Sequence, residues 1–197
     1  MILRRYLLGL TLALTSLGFA QAQTPAPQVK FTTSAGEFVI ELYPDKAPNT
    51  VENFLTYVRD GHYNGLIFHR VINNFMIQGG GYDARYMEKP TRPPIKHEGA
   101  EVKAKGGPTN TVGTIAMART NNPHSASSQF FINVNNNEFL NHSAPSAQGW
   151  GYVAFGKVVS GMEVVNKIKM TPTGAGGPFP SDVPQTQVVI QSASLVK

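Results

Sequence analysis

Phe68-His69-Arg70-Val71-Ile72-Asn73-Asn74-Phe75-Met76-Ile77-Gln78-Gly79-Gly80-Gly81, residues 68 to 81, sets one permanently charged cation and one amide among bulky apolar side chains. The apolar runs 66 to 72 and 75 to 78, punctuated by two asparagines, read as short strands. The stretch carries no activated nucleophile, and no Lys-Ser/Thr follows its glycines as a phosphate loop requires. Gly79-Gly80-Gly81 reads instead as a tight turn beside a groove.

Working outward, runs of the same kind recur at 112 to 118, 129 to 134, 152 to 159 and 187 to 196. Nearer the start, Val29–Thr33 and Glu37–Leu42 form a hairpin pattern around Ser34-Ala35-Gly36, with glycine as the turn residue. Val51, Phe54, Leu55 and Val58 fall at i, i+3, i+4 and i+7, which predicts a helix over 50 to 60. Asn49 or Thr50 would cap its start, Asn49 with Glu52 as a variant capping box, and Gly61 sits where a left-handed C-terminal cap belongs. A second helix is expected over 161 to 169, burying Met162, Val165 and Ile168. Residues 89 to 111 and 174 to 184, rich in proline and glycine, read as loops. Many strands with two helices make the chain all-β in class, and composition leaves sandwich and barrel undecided.

The chain has 197 residues, 41% of them hydrophobic and 15% charged, enough for one packed domain with an appendage. Arg4 and Arg5, an apolar run from Leu7 to Leu17, and Ala20-Gln21-Ala22 read as a signal peptide over 1 to 22, cleaved before Gln23. A transmembrane anchor is the competing reading. Gly9, Thr11, Thr15 and Ser16 interrupt the run, which falls short of the ~20 apolar residues that a span needs. Residues 23 to 28, with Thr24-Pro25-Ala26-Pro27, form a short linker, and the folded domain occupies 29 to 197. The expected destination is the periplasm, with secretion as the variant and no stable membrane insertion after cleavage.

Cysteine is absent, so stability rests on a hydrophobic core and thiol chemistry is excluded. Losing Arg4 and Arg5 leaves 15 basic against 12 acidic residues, scattered rather than clustered, which argues against a nucleic-acid partner. The five histidines show no His-x-x-x-His spacing and no neighbouring carboxylate cluster, so no metal site is expected. Ser125, Ser127 and Ser128 lack a nucleophile elbow.

Read with Gly113-Thr114-Ile115-Ala116-Met117-Ala118-Arg119, Ser128-Gln129-Phe130-Phe131-Ile132 and Val153-Ala154-Phe155-Gly156-Lys157-Val158, the 68 to 81 stretch closely resembles the cyclophilin family of peptidyl-prolyl cis/trans isomerases. The resemblance covers roughly residues 29 to 196. It implies an eight-stranded antiparallel closed β-barrel, capped at each end by a helix. It also implies an enzyme without cofactor that acts on proline-containing segments of client proteins; a monomer is expected. The alternative is a proline-peptide binding or chaperone module that uses the same groove with little turnover.

Rotation about an Xaa-Pro bond must overcome an amide barrier of about 18–20 kcal/mol, and it makes and breaks no covalent bond. Raising a rate from ~0.01 to ~1000 per second takes about 7 kcal/mol of transition-state stabilisation. An arginine suits this because its guanidinium stays protonated and presents rigid donors to a developing nitrogen lone pair. By position in the family pattern, Arg70 is that catalytic arginine. Phe75, Met76, Phe131 and Leu140 fall on the cup for the proline ring. Gln78 and Gln129 fall where the arginine is oriented or the substrate carbonyl is held, and Ala118 and Arg119 on the edge that pairs with substrate backbone. Phe139 and Tyr152 stand where many eukaryotic members carry tryptophan and histidine, and Arg119 where asparagine is common. These three choices resemble the bacterial, exported branch. Lacking the indole N–H, Phe139 implies weak inhibition by cyclosporin.

Overall fold

Alternation along Gln28–Thr33 (β1) and Gly36–Leu42 (β2) turns Val29, Phe31, Phe38, Ile40 and Leu42 inward. Phe31 faces Phe38 across the hairpin, their rings stacked 5.1 Å apart. Thr33 Oγ1 donates to the Gly36 carbonyl at 2.7 Å and accepts from the Ala35 N–H at 3.1 Å, tying the turn. Gly36 has φ 137°, and a Cβ there would lie 2.8 Å from Val164 Cγ2, so the expected glycine is required. The structure is a computed structural model describing residues 25 to 196; the expected signal segment and the first two linker residues lie outside the described residues.

Six further strands join this hairpin: Leu66–Ile72 (β3), Met76–Asp83 (β4), Thr114–Met117 (β5), Phe130–Asn133 (β6), Ala154–Ser160 (β7) and, after a separate hairpin, Ile190–Leu195 (β10). Together they form an eight-stranded antiparallel sheet in the order β10-β1-β2-β7-β5-β6-β4-β3. Its two ends meet where the Gly65 N–H donates to the Ile190 carbonyl at 2.8 Å and the Phe68 N–H to the Val188 carbonyl at 3.0 Å. The result is a nearly closed barrel, the architecture expected from the resemblance, with its seam held by a few bonds rather than a full ladder.

Pro48–Arg59 (α1) buries Val51, Phe54, Leu55 and Val58, the predicted stripe, together with Tyr57. Phe54 reaches into the barrel, with ring centroids 5.2 Å from Phe155, 5.4 Å from Tyr63 and 5.9 Å from Phe130. Gly61 (φ 63°) closes the helix as expected, its N–H on the Val58 carbonyl and the His62 N–H on the Tyr57 carbonyl. The N-terminus differs from expectation. Ala47 is the cap residue, Pro48 fills the first turn, and the Asn49 and Thr50 N–H groups donate at 3.1 and 2.7 Å to the Glu98 carboxylate, far along the chain. Glu52 instead pairs with Arg59 at 2.6 Å.

There are three helices among the described residues rather than two. Gly99–Ala104 (α2) lies inside the expected loop 89 to 111; with Val102 its only buried large apolar residue, it leaves no periodic signal. The third, Met162–Lys169 (α3), buries Val165 and Ile168 behind Gly161, while Met162 is only partly buried. The expected loop 174 to 184 is largely a second sheet, a hairpin of Thr173–Gly176 (β8) and Phe179–Pro184 (β9) packed against β3. No described helix is long and apolar enough to cross a membrane.

Candidate active site

The barrel strands carry a second apolar set on their outer face. Along β6, Phe130 and Ile132 enter the interior core while Phe131 points out; along β5, Ile115 and Met117 enter while Ala116 points out. Met76, Ala116, Phe131 and Ala154 form the buried floor of this outer cluster, with Ile72, Phe75, Ala118, Leu140 and Tyr152 packed around it. Strand register lines up one row across five strands: Arg70 opposite Gln78, Gln78 opposite Phe131, Phe131 opposite Ala116, Ala116 opposite Ala154.

Strict alternation would send Arg70 to the same side as Phe68, into the core. A bulge prevents this. Phe68 pairs with Gly79 but Arg70 already pairs with Gln78, so His69 is the extra residue, and Phe68 and Val71 both stay inside while Arg70 emerges. The glycine triplet belongs to β4 and makes no tight turn, contrary to expectation. Gly81 makes room instead: a Cβ there would sit 2.6 Å from the Gln129 side-chain amide.

A cavity of about 330 Å³ opens on this face, lined by Arg70, Phe75, Met76, Gln78, Ala118, Arg119, Phe131, Leu140 and Tyr152. Nine of the eleven expected site residues thus meet at one place, and the other two adjoin it. Gln129 accepts a 3.0 Å hydrogen bond from Gln78 Nε2, and Phe139 stacks on Phe75 at 5.9 Å, with 74% of its surface exposed. Phe131 meets Tyr152 edge-on at 5.5 Å. Tyr152 also lines a neighbouring cavity of about 370 Å³ beneath α2 and the loop that follows it.

Arg70 makes no side-chain hydrogen bond among the described residues; its nearest countercharge is Asp182 on β9, with Nε to Oδ2 at 3.9 Å. Next to it, His69 is buried between Tyr82 and Phe179, and burial, reinforced by the Arg70 charge, pushes its pKa down to about 4. It is neutral at physiological pH, so Arg70 is the cation of this strand. Arg119 does more than present its backbone. Its Nε donates to the Gly151 carbonyl at 2.8 Å and its guanidinium lies 4.6 Å from the Tyr152 ring centroid.

Both walls of the cavity are held from behind by asparagines that no motif marks as part of the site. Asn137 Nδ2 donates to the Phe75 carbonyl at 2.8 Å and to Asn133 Oδ1 at 2.7 Å, and Asn133 Nδ2 donates to Asn110 Oδ1 at 3.1 Å. Asn110 Nδ2 in turn reaches the Tyr152 carbonyl at 3.1 Å. All three are buried, so each bond replaces one otherwise lost to water. The Asn133-Val134-Asn135-Asn136-Asn137 run was the available signal, although asparagine-rich segments usually read as turns.

Residues 28–195 match the family described as "Cyclophilin type peptidyl-prolyl cis-trans isomerase/CLD". The chain belongs to this family. Among curated cyclophilin-type relatives, it is 54% identical over 167 residues to "Peptidyl-prolyl cis-trans isomerase B" of Escherichia coli (strain K12), covering 85% of this chain and 98% of that protein. It is 48% identical over 186 residues to "Peptidyl-prolyl cis-trans isomerase A" of Dickeya dadantii (strain 3937), covering 94% and 93%. Among solved structures, a cyclophilin type isomerase of Cryptosporidium parvum matches with TM-score 0.65 and 25% identity over 87% of this chain and 98% of that one. The crystal structure of the same protein in the presence of the dipeptide Ala-Pro matches with TM-score 0.64 and 25% identity, over 86% and 99%.

Proposed function

We propose that this cyclophilin-type isomerase accelerates rotation of Xaa-Pro bonds in unfolded or folding exported proteins, with Arg70 as the principal catalytic group. The observation that carries the reading is the convergence, on one cavity, of an arginine with no side-chain hydrogen bond among the described residues and an apolar floor drawn from four strands. A proline ring fits the cup of Phe75, Met76, Phe131 and Leu140, since it has no N–H to satisfy and matches an aromatic face. The Arg70 guanidinium then stands beside the prolyl nitrogen. As amide resonance is lost, that nitrogen gains a lone pair, and a preorganised charged donor favours the twisted state over either planar one. Gln78, held by Gln129, is next to Arg70 in the strand register and serves to orient it or to hold the substrate carbonyl.

Slow prolyl isomerisation limits the folding of many chains, which gives such an enzyme a use where proteins fold after export. The basic and apolar segment at the start of the sequence supports passage to the periplasm or beyond, as a monomer with Gln23 as the mature first residue. N-terminal sequencing and sedimentation of the protein recovered from its native host test these two points. For catalysis, exchange NMR on an Ala-Pro peptide compares the mature protein with Arg70→Ala. We expect acceleration that falls at least tenfold in the variant, about 1.4 kcal/mol of barrier. Peptide binding without acceleration in either would favour a binding module instead.

A further inference from the structure

We infer that Asp182 is a positioning residue for Arg70, brought to the site by the β8–β9 hairpin; this rests on the catalytic reading of Arg70. Its Oδ2 approaches Arg70 from the Nε side at 3.9 Å, close enough to attract the guanidinium but too far to tie up one of its donors in a hydrogen bond. The terminal nitrogens remain for the cavity that Arg70 lines.

The hairpin is anchored to the strand that carries Arg70. Phe179 stacks on His69, the residue before Arg70, with centroids 5.5 Å apart, and meets Tyr82 edge-on at 5.1 Å. Val183, the residue after Asp182, is buried, and the Gln185 N–H donates to the Pro172 carbonyl at 2.9 Å, closing the hairpin base. The backbone of Asp182 therefore cannot move away from β3 without unstacking Phe179 or exposing Val183.

Its backbone points the same way. Asp182 has φ 65°, and only one other non-glycine residue among those described, Tyr86, is left-handed. Aspartate tolerates that region better than most residues but less well than glycine, so an unfavourable conformation is retained where the carboxylate faces the cation. A half-exposed ion pair adds little to folding stability. Its effect is on the side-chain freedom of a long arginine that has to meet a developing lone pair in one orientation.

The test is Asp182→Asn, which keeps the shape and the left-handed backbone but removes the charge, made in the wild type and in the Arg70→Ala background. By exchange NMR we expect kcat to fall three- to tenfold with KM changed less than twofold in the wild-type background, and no further fall when Arg70 is already alanine. The Arg70 Nε–H resonance should shift in Asp182→Asn, a signature that a merely structural role would leave in place. Unchanged kcat in Asp182→Asn, an unmoved Nε–H resonance, or an equal loss in both backgrounds overturns the inference. Full activity in Arg70→Ala overturns the reading on which it rests, so the two failures are distinguishable.

Discussion

Phe139 lies at the rim of the site, stacked on Phe75 and largely exposed, with no polar atom beyond its backbone. It preserves an apolar wall, but it cannot supply the indole N–H through which cyclosporin binds in sensitive cyclophilins. Losing this hydrogen bond while the drug's acceptor stays buried costs about 1–3 kcal/mol, roughly 5- to 150-fold in affinity. We expect titration of cyclosporin against activity to give weak inhibition; inhibition at nanomolar concentration would contradict this. Tyr152 is a different substitution, because its ring packs on Phe131 and under the Arg119 guanidinium, so the aromatic wall is retained. These identities were legible from the motifs. The partnership of Arg119 with the Gly151 carbonyl was not, since a side chain's reach to a residue 32 positions away leaves no mark on local sequence.

At the scale of elements, the start of α1 depends on a residue from another segment. Glu98 is buried and accepts from the N–H groups of Asn49 and Thr50, from Asn49 Nδ2 at 2.8 Å and from Thr50 Oγ1 at 2.7 Å. A carboxylate at a helix N-terminus is also favoured by the helix dipole. Glu98→Ala leaves four donors without their acceptor, and we expect a loss of about 2–4 kcal/mol in urea denaturation. Asn49→Ala removes one side-chain donor only and should cost less than half as much. Equal costs would mean that the cap is local after all. Helix periodicity revealed α1 because five of its side chains enter one core. It could not reveal α2 or the β8–β9 hairpin, which bury one or two residues each and are held by what they pack against.

For the whole molecule, two buried histidines link stability to pH. His69 and His97 both have pKa values pushed down to about 4, chiefly by burial. His97 Nδ1 accepts from the Gly99 N–H at 3.0 Å while Nε2 donates to the Gly151 carbonyl at 3.2 Å, so a proton on Nδ1 would face another donor. With folded values below the unfolded value near 6.5, the unfolded chain binds more protons between these limits. Stability from these groups is complete above about pH 6.5, declines as pH falls toward 4, and stops changing on their account below that. The decline is on the order of 3 kcal/mol per histidine at most. We expect urea midpoints to drop over that window and the drop to shrink in His97→Gln, whose amide supplies both a donor and an acceptor without titrating. A flat wild-type profile from pH 8 to 4 would rule this out.

Readable from the sequence alone were side chains and their periodicities: the hairpin of β1 and β2, the apolar stripe of α1 and the Gly61 cap, while the residues that line the cavity came from the resemblance of the motifs to a family pattern. These are local or motif-borne properties, written in spacing and residue type. Tertiary structure decided which face each residue serves and what holds it there. Arg70 reaches the outer face only because a bulge at His69 breaks the alternation that would have buried it. Asp182 meets it only because Phe179 docks a glycine-rich hairpin on the same strand. Glu98 finds α1, and the asparagines find the two cavity walls, across separations of 40 residues and more. Pairings of that kind arise from burial and register, which a chain acquires only when distant segments close on one another.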